Sequence, residues 1–183
     1  MRFIIHIGAP KCGSTTVQSQ LNTLSQSFNA KSIALIDSSF DWQLGNRSCR
    51  SGPSIAWEEL FTTRSSLGVL EARLKSSLRA AASAGMDFAV LSAENLWCTN
   101  RPEGRVFIER VFSKLTNIYD VRVVAYVRRQ DWALESAWKQ WFCKAFTEGF
   151  ESWVSAAIAN NEYDYYSELC FWQDVVCEGK PGS

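Results

Sequence analysis

The stretch Ile4–Thr16, IIHIGAPKCGSTT, decides the fold. A short β-branched, apolar segment, Arg2–Ile7, reads as a strand. It runs into a turn carrying Gly8, Pro10, Lys11 and Gly13. From Ser14 to Phe28 the apolar residues Val17, Leu21, Leu24 and Phe28 recur at helical spacing. Strand, glycine turn, helix is an anion-binding arrangement. The two glycines let the backbone turn tightly, and the helix start offers unpaired N–H groups and the positive end of its dipole.

Working outward, the same alternation repeats. Ser32–Ile36 predicts a second strand, and Ser38–Pro53 a polar loop. Trp57–Ala84 has helical period through Leu67, Leu70, Leu74 and Leu78, with Gly85 as its stop. Asp87–Ser92 predicts a third strand, Arg105–Leu115 a helix, and Val121–Val127 a fourth strand. The near-continuous apolar run of that fourth strand suits a sheet covered on both faces. Trp132–Phe146, Phe150–Ala159 and Tyr163–Val176 predict three more helices. Strands alternating with helices imply one α/β domain: a P-loop-containing, three-layer fold with a central parallel sheet flanked by helices. Ligands of such folds sit at the carboxyl ends of the strands, here from Gly8, Ser92 and Arg128 onward.

Composition sets bounds on function. The chain has 183 residues, 46% of them hydrophobic, and a formal net charge of zero. One domain with a substantial core is expected, and a broad nucleic-acid surface is not. The six cysteines form no CxxC pair and there is a single histidine, His6, so no zinc or other metal site is expected. The N-terminal apolar run is too short for a signal or membrane segment, which points to a cytoplasmic protein with reduced thiols. The eight tryptophans suit core packing. Trp97, Trp132 and Trp138 equally suit a cleft for flat or sugar-like ligands.

The loop differs from the nucleotide-triphosphatase pattern GxxxxGK[ST]. Gly8 and Gly13 have the right separation, but Ser14 stands where the lysine belongs, and Lys11 lies inside the loop. Lys11 brings a point charge and Ser14, Thr15 and Thr16 bring hydroxyl donors. APKCGSTTVQ (Ala9–Gln18) resembles the PKxGTT-type loop of sulfotransferases that use 3′-phosphoadenosine 5′-phosphosulfate (PAPS). The resemblance implies that Lys11, Cys12, Gly13, Ser14, Thr15 and Thr16 bind the phosphosulfate, with Lys11 neutralising the leaving phosphate. Ser14 stands where threonine is common.

A second signature of that family, an arginine at a strand end and a serine eight residues on, matches Arg128 and Ser136 within YVRRQDWALESAWKQ. The resemblance assigns both to the 3′-phosphate. Arg129 is a close alternative, though its partner position holds Ala137. SAENLW and DYYSELCFWQDVV resemble segments of bacterial members with carbohydrate-type acceptors. Those members run longer, so the resemblance implies a missing C-terminal part.

Sulfuryl transfer needs a general base. Glu94, just past the third strand, is the expected base, with Asp37 in reserve. Ser92 is a candidate to orient Glu94 or to touch nucleotide, and His6 reads as a core or supporting residue. The expected function is transfer from PAPS to an acceptor hydroxyl or amine, a glycan or small molecule. Two other readings stay open: a P-loop kinase or hydrolase, and a nucleotide-binding protein without catalysis.

Overall fold

The computed structural model describes residues 1–9, 11–29, 32–37, 39–42, 67–97, 102–143 and 149–177. The first part of the helix expected over 57–84 (residues 57–66), the end of that expected over 132–146 (residues 144–146), most of the polar loop over 38–53 and the tail after 177 lie outside them. The described elements are strand β1 (Arg2–Gly8), helix α1 (Ser14–Asn29), β2 (Ile33–Ile36), α2 (Leu67–Ser83) and β3 (Phe88–Ser92). A 3₁₀ turn (Glu94–Leu96), α3 (Pro102–Thr116), β4 (Asp120–Tyr126), α4 (Gln130–Ala137) and a π-helical turn (Trp138–Phe142) follow. Helices α5 (Phe150–Ala159) and α6 (Tyr165–Cys177) close the described chain.

Among the described residues there is one four-stranded sheet in the order β2-β3-β1-β4, with every pairing parallel. The protein is therefore α/β, with a parallel sheet flanked by helices. Because all strands run the same way, the ends of β1, β3 and β4 lie on one edge. Register sets His6 beside Ser92 on one side and Gly8 beside Tyr126 on the other.

Side-chain alternation along β1 sends Phe3, Ile5 and Ile7, all fully buried, to one face. Phe3 stacks on Phe112 of α3, and Phe112 meets Phe107 and Trp172 edge-on. Leu70, Leu74 and Leu78 of α2 complete this core at full burial, as their spacing requires. Each such side chain contributes about 1.5–3 kcal/mol through burial. Two ion-pair sets tie the covering helices together: Arg110 of α3 to Glu71 of α2 at 3.2 Å, and Arg105 of α3 to the buried Glu168 of α6 at 3.1 Å. Gly85 ends α2 at φ +76°, where the backbone reverses and Met86 N–H bonds the carbonyl of Ala81.

Three boundaries differ from expectation for physical reasons. Helix α3 begins at Pro102 rather than Arg105, because proline suits a helix's first turn. The single helix expected from Trp132 is α4 followed by the π turn, a change of pitch that period-based reading averages over. Strand β4 is not covered along both faces. Val124 and Tyr126, on one face of this edge strand, are 42% and 44% exposed.

Among the described residues no helix is long and apolar enough to cross a membrane.

Candidate functional site

The turn after β1 brings together most of the residues singled out from sequence. Gly8 closes β1 in ordinary packing contact: a Cβ there would lie 3.4 Å from Cβ of Ser14 and 3.8 Å from the carbonyl of Tyr126. Gly13 sits at φ +87°, and Lys11 also takes a left-handed conformation at φ 65°, uncommon for a residue with a Cβ. Cys12 N–H bonds the carbonyl of Ala9 at 3.2 Å, which closes the turn. Thr16 and Val17 N–H groups already bond the carbonyl of Gly13 as α1 begins. Helix α1 has no acidic residue in its first turn, so its positive end is not neutralised from within.

Ser14, almost fully buried, donates its hydroxyl hydrogen to Oε2 of Glu94. The 3₁₀ turn after β3 aims that carboxylate, and Trp97 N–H bonds the Glu94 carbonyl at 2.9 Å to close it. Beneath them lies a layer of polar groups. His6 Nδ1 and Ser92 Oγ share a hydrogen at 2.7 Å, Gln18 Nε2 donates to the Ser92 carbonyl, and Ala93 N–H donates to the His6 carbonyl. The His6 ring meets Tyr126 edge-on, and its buried Nε2 has no hydrogen-bond partner among the described residues. Burial pulls the His6 imidazole below its ordinary pKa, with the Glu94 carboxylate opposing. Burial thus favours the neutral form of the His6 ring.

Lys11 and Arg128 approach the turn from the other side. The Lys11 ammonium donates to Oε1 of Gln140, and Arg128 Nη1 donates to the Lys11 carbonyl at 3.4 Å. The two adjacent arginines separate here. Both guanidiniums lie over the Trp132 ring, but Arg128 reaches the loop, whereas Arg129 pairs with Asp131 at 2.6 Å. Ser136 stands half-buried on α4 and forms no hydrogen bond among the described residues. The structure therefore joins Arg128 to the loop. Thr15 and Thr16 are exposed at the helix start. Asp37, the reserve acid, is used locally: its Oδ1 accepts the N–H groups of Ser39 and Asp41.

Cys12 is half-buried, its Sγ 3.7 Å from the Tyr165 hydroxyl. Burial pushes its thiol up, and burial likewise pushes the Tyr165 phenol up, so both stay protonated at neutral pH. Cys12 therefore offers the loop its backbone rather than a thiolate. Next to it, Arg128, Arg129, Gln130, Asp131, Tyr165 and Tyr166 line an open cavity of about 630 Å³. The three tryptophans part company. Trp97 is buried edge-on against Tyr165, while Trp132 and Trp138 line a second cavity of about 540 Å³ with Phe150. Among the described residues no group of three His, Cys, Asp or Glu side chains is placed to hold a metal ion.

Gln140 and Tyr165 were missed by sequence reasoning. Gln140 lies on the π turn, where a pattern of α-helical period carries no signal. Tyr165 is 153 residues from Cys12, and no local pattern links them.

Together these features define the class of protein as α/β, with a glycine turn that opens a helix at the carboxyl edge of a parallel sheet. Comparison with protein-family models, curated proteins and solved structures finds no match to this chain.

Proposed function

We propose that the protein is a sulfotransferase moving a sulfuryl group from PAPS to a hydroxyl or amine of an acceptor, a glycan or small molecule. One observation carries the reading: a lysine, a buried serine hydroxyl, a carboxylate and an arginine converge on one strand-to-helix turn. In this reading the loop from Lys11 to Thr16 cradles the phosphosulfate, and Arg128, with Ser136, takes the 3′-phosphate. The cavity beside Arg128 offers the adjoining space, with tyrosine rings for a flat base.

The chemistry balances without an added co-reactant. The acceptor oxygen bonds sulfur as its proton passes to Glu94, and the bond from sulfur to the bridging phosphate oxygen breaks. The electron pair stays on that oxygen, where Lys11 and the helix N–H groups stabilise it. The kinase or hydrolase reading has less support, because Ser14 and not a lysine follows Gly13.

Calorimetry with adenosine 3′,5′-bisphosphate tests the donor site without knowledge of the acceptor. Saturable one-to-one binding is expected. Magnesium-dependent ATP binding with no bisphosphate binding would overturn the reading. Bisphosphate binding without transfer to any acceptor in a broad screen would leave a nucleotide-binding protein. Lys11→Ala is expected to slow transfer about 10²–10³-fold, the usual loss for one transition-state charge stabiliser.

A further inference from the structure

A base that serves only an acceptor has no need to touch the phosphate loop, yet Glu94 does. Its carboxylate accepts the hydroxyl hydrogen of Ser14, the first residue of α1. Helix α1 has no acid of its own in its first turn, so Glu94, arriving from the end of β3, brings a carboxylate to the start of that helix. The position is fixed from below. The 3₁₀ turn, the bond from Ala93 N–H to the His6 carbonyl, and the His6–Ser92 pair hold the exit of β3 in place. A carboxylate at a helix N-terminus sits where an anionic ligand would sit.

We propose that Glu94 is the loop's resident anion: it holds the Ser14 hydroxyl until the donor's phosphosulfate takes that hydroxyl over, so that donor binding releases the base. The inference rests on the sulfotransferase reading and adds a coupling between its two halves. No covalent bond changes in this step. The Ser14 O–H exchanges one acceptor, Glu94 Oε2, for another, a donor oxygen.

The sign of one effect separates this role from simpler ones. Two anions at one hydroxyl repel, so the charge on Glu94 weakens donor binding. Removing the charge should therefore tighten binding while it slows transfer. A base remote from the loop leaves affinity unchanged, and a carboxylate that merely braces the loop makes affinity worse when removed.

The test is calorimetry with adenosine 3′,5′-bisphosphate and, separately, inorganic pyrophosphate. The chains compared are the wild type, Glu94→Gln, Glu94→Ala and the exposed control Glu109→Gln. Both Glu94 variants are expected to bind each anion about fivefold tighter or more, as a like charge withdrawn at close range allows. The control should match the wild type. Thermal melts show which variants are folded, and if the alanine variant is not, the isosteric glutamine variant decides. Equal or weaker binding of both anions by the folded Glu94 variants would overturn the proposal. Tighter pyrophosphate binding, with no chain binding the bisphosphate, would keep the resident anion and discard the sulfotransferase reading. If no chain binds either anion, both fall.

Discussion

The two sides of strand β1 are built differently. Toward β3 and β2, the sheet backs onto a core in which Phe3, Ile5, Leu70, Leu74 and Phe112 lose all contact with water. Toward β4 one face keeps that core, with Val121 buried in it and Val123 and Ala125 packed against it, and the other face loses cover. Val124, Tyr126 and Val127 are about half exposed, and the aromatic cluster around Ala137, Trp153 and Ala157 is separate from the main core. The glycine turn lies on the seam. Ser14, Glu94 and His6 belong to the sealed side, where they are hydrogen-bonded and held. Lys11 and Arg128 belong to the open side, where charged side chains keep their access to solvent. A site assembled this way has one buried, hydrogen-bonded wall and one wall that a ligand can approach.

Four measurements would break or sharpen that contrast, from the largest expected effect to the smallest. Phe112→Ala removes a ring that meets Phe3, Phe107 and Trp172, and should cost about 3–5 kcal/mol in chemical denaturation. A loss under about 1 kcal/mol would mean that the sealed side is not tightly packed. Arg128→Ala should weaken bisphosphate binding by about 1.5–3 kcal/mol, the range for a hydrogen bond to a charged group. Arg129→Ala, which breaks an exposed pairing with Asp131 and a stack on Trp132, should change it little. Equal effects would show that the open wall does not distinguish the two.

The third measurement concerns His6. Its folded pKa lies below the ordinary 6.5, so in acid the unfolded chain takes up the proton first. Stability is therefore full above about pH 6.5 and declines as pH falls below it, by at most about 1.4 kcal/mol per pH unit for one proton. Melting temperatures between pH 8 and 5.5 would follow this, and His6→Asn should flatten the trend. A profile that is flat in the wild type would place His6 in a more solvated setting. Last, Val124→Thr on the open face should shift stability by no more than about 0.5 kcal/mol. A larger loss would show that the face of β4 is covered in solution.

Much of the fold was legible because hydrophobic period carries it. The sealed strands and the Leu70–Leu74–Leu78 stripe follow from spacing alone, and Phe150–Ala159 matches its expected limits. The openness of β4 was not legible. Its apolar run reads the same whether a strand is central or outermost, and only the topology decides which. The loop's glycines and lysine were legible because their conformations are local. The contact of Ser14 with Glu94 spans 80 residues and that of Lys11 with Gln140 spans 129, so both depend on where the chain returns. The π turn that carries Gln140 leaves no mark on a pattern read at 3.6 residues per turn.

Lys11 adopts a backbone conformation that glycine would take without cost. For an L-residue that conformation costs roughly 1–2 kcal/mol. The position is thus one where the more comfortable residue is also the less useful one. Lys11→Gly would relax the chain while removing the ammonium that the proposed chemistry requires. A search for more stable variants of this protein would tend to select changes at its own candidate site first, so thermal selection alone would erase the function it was meant to protect.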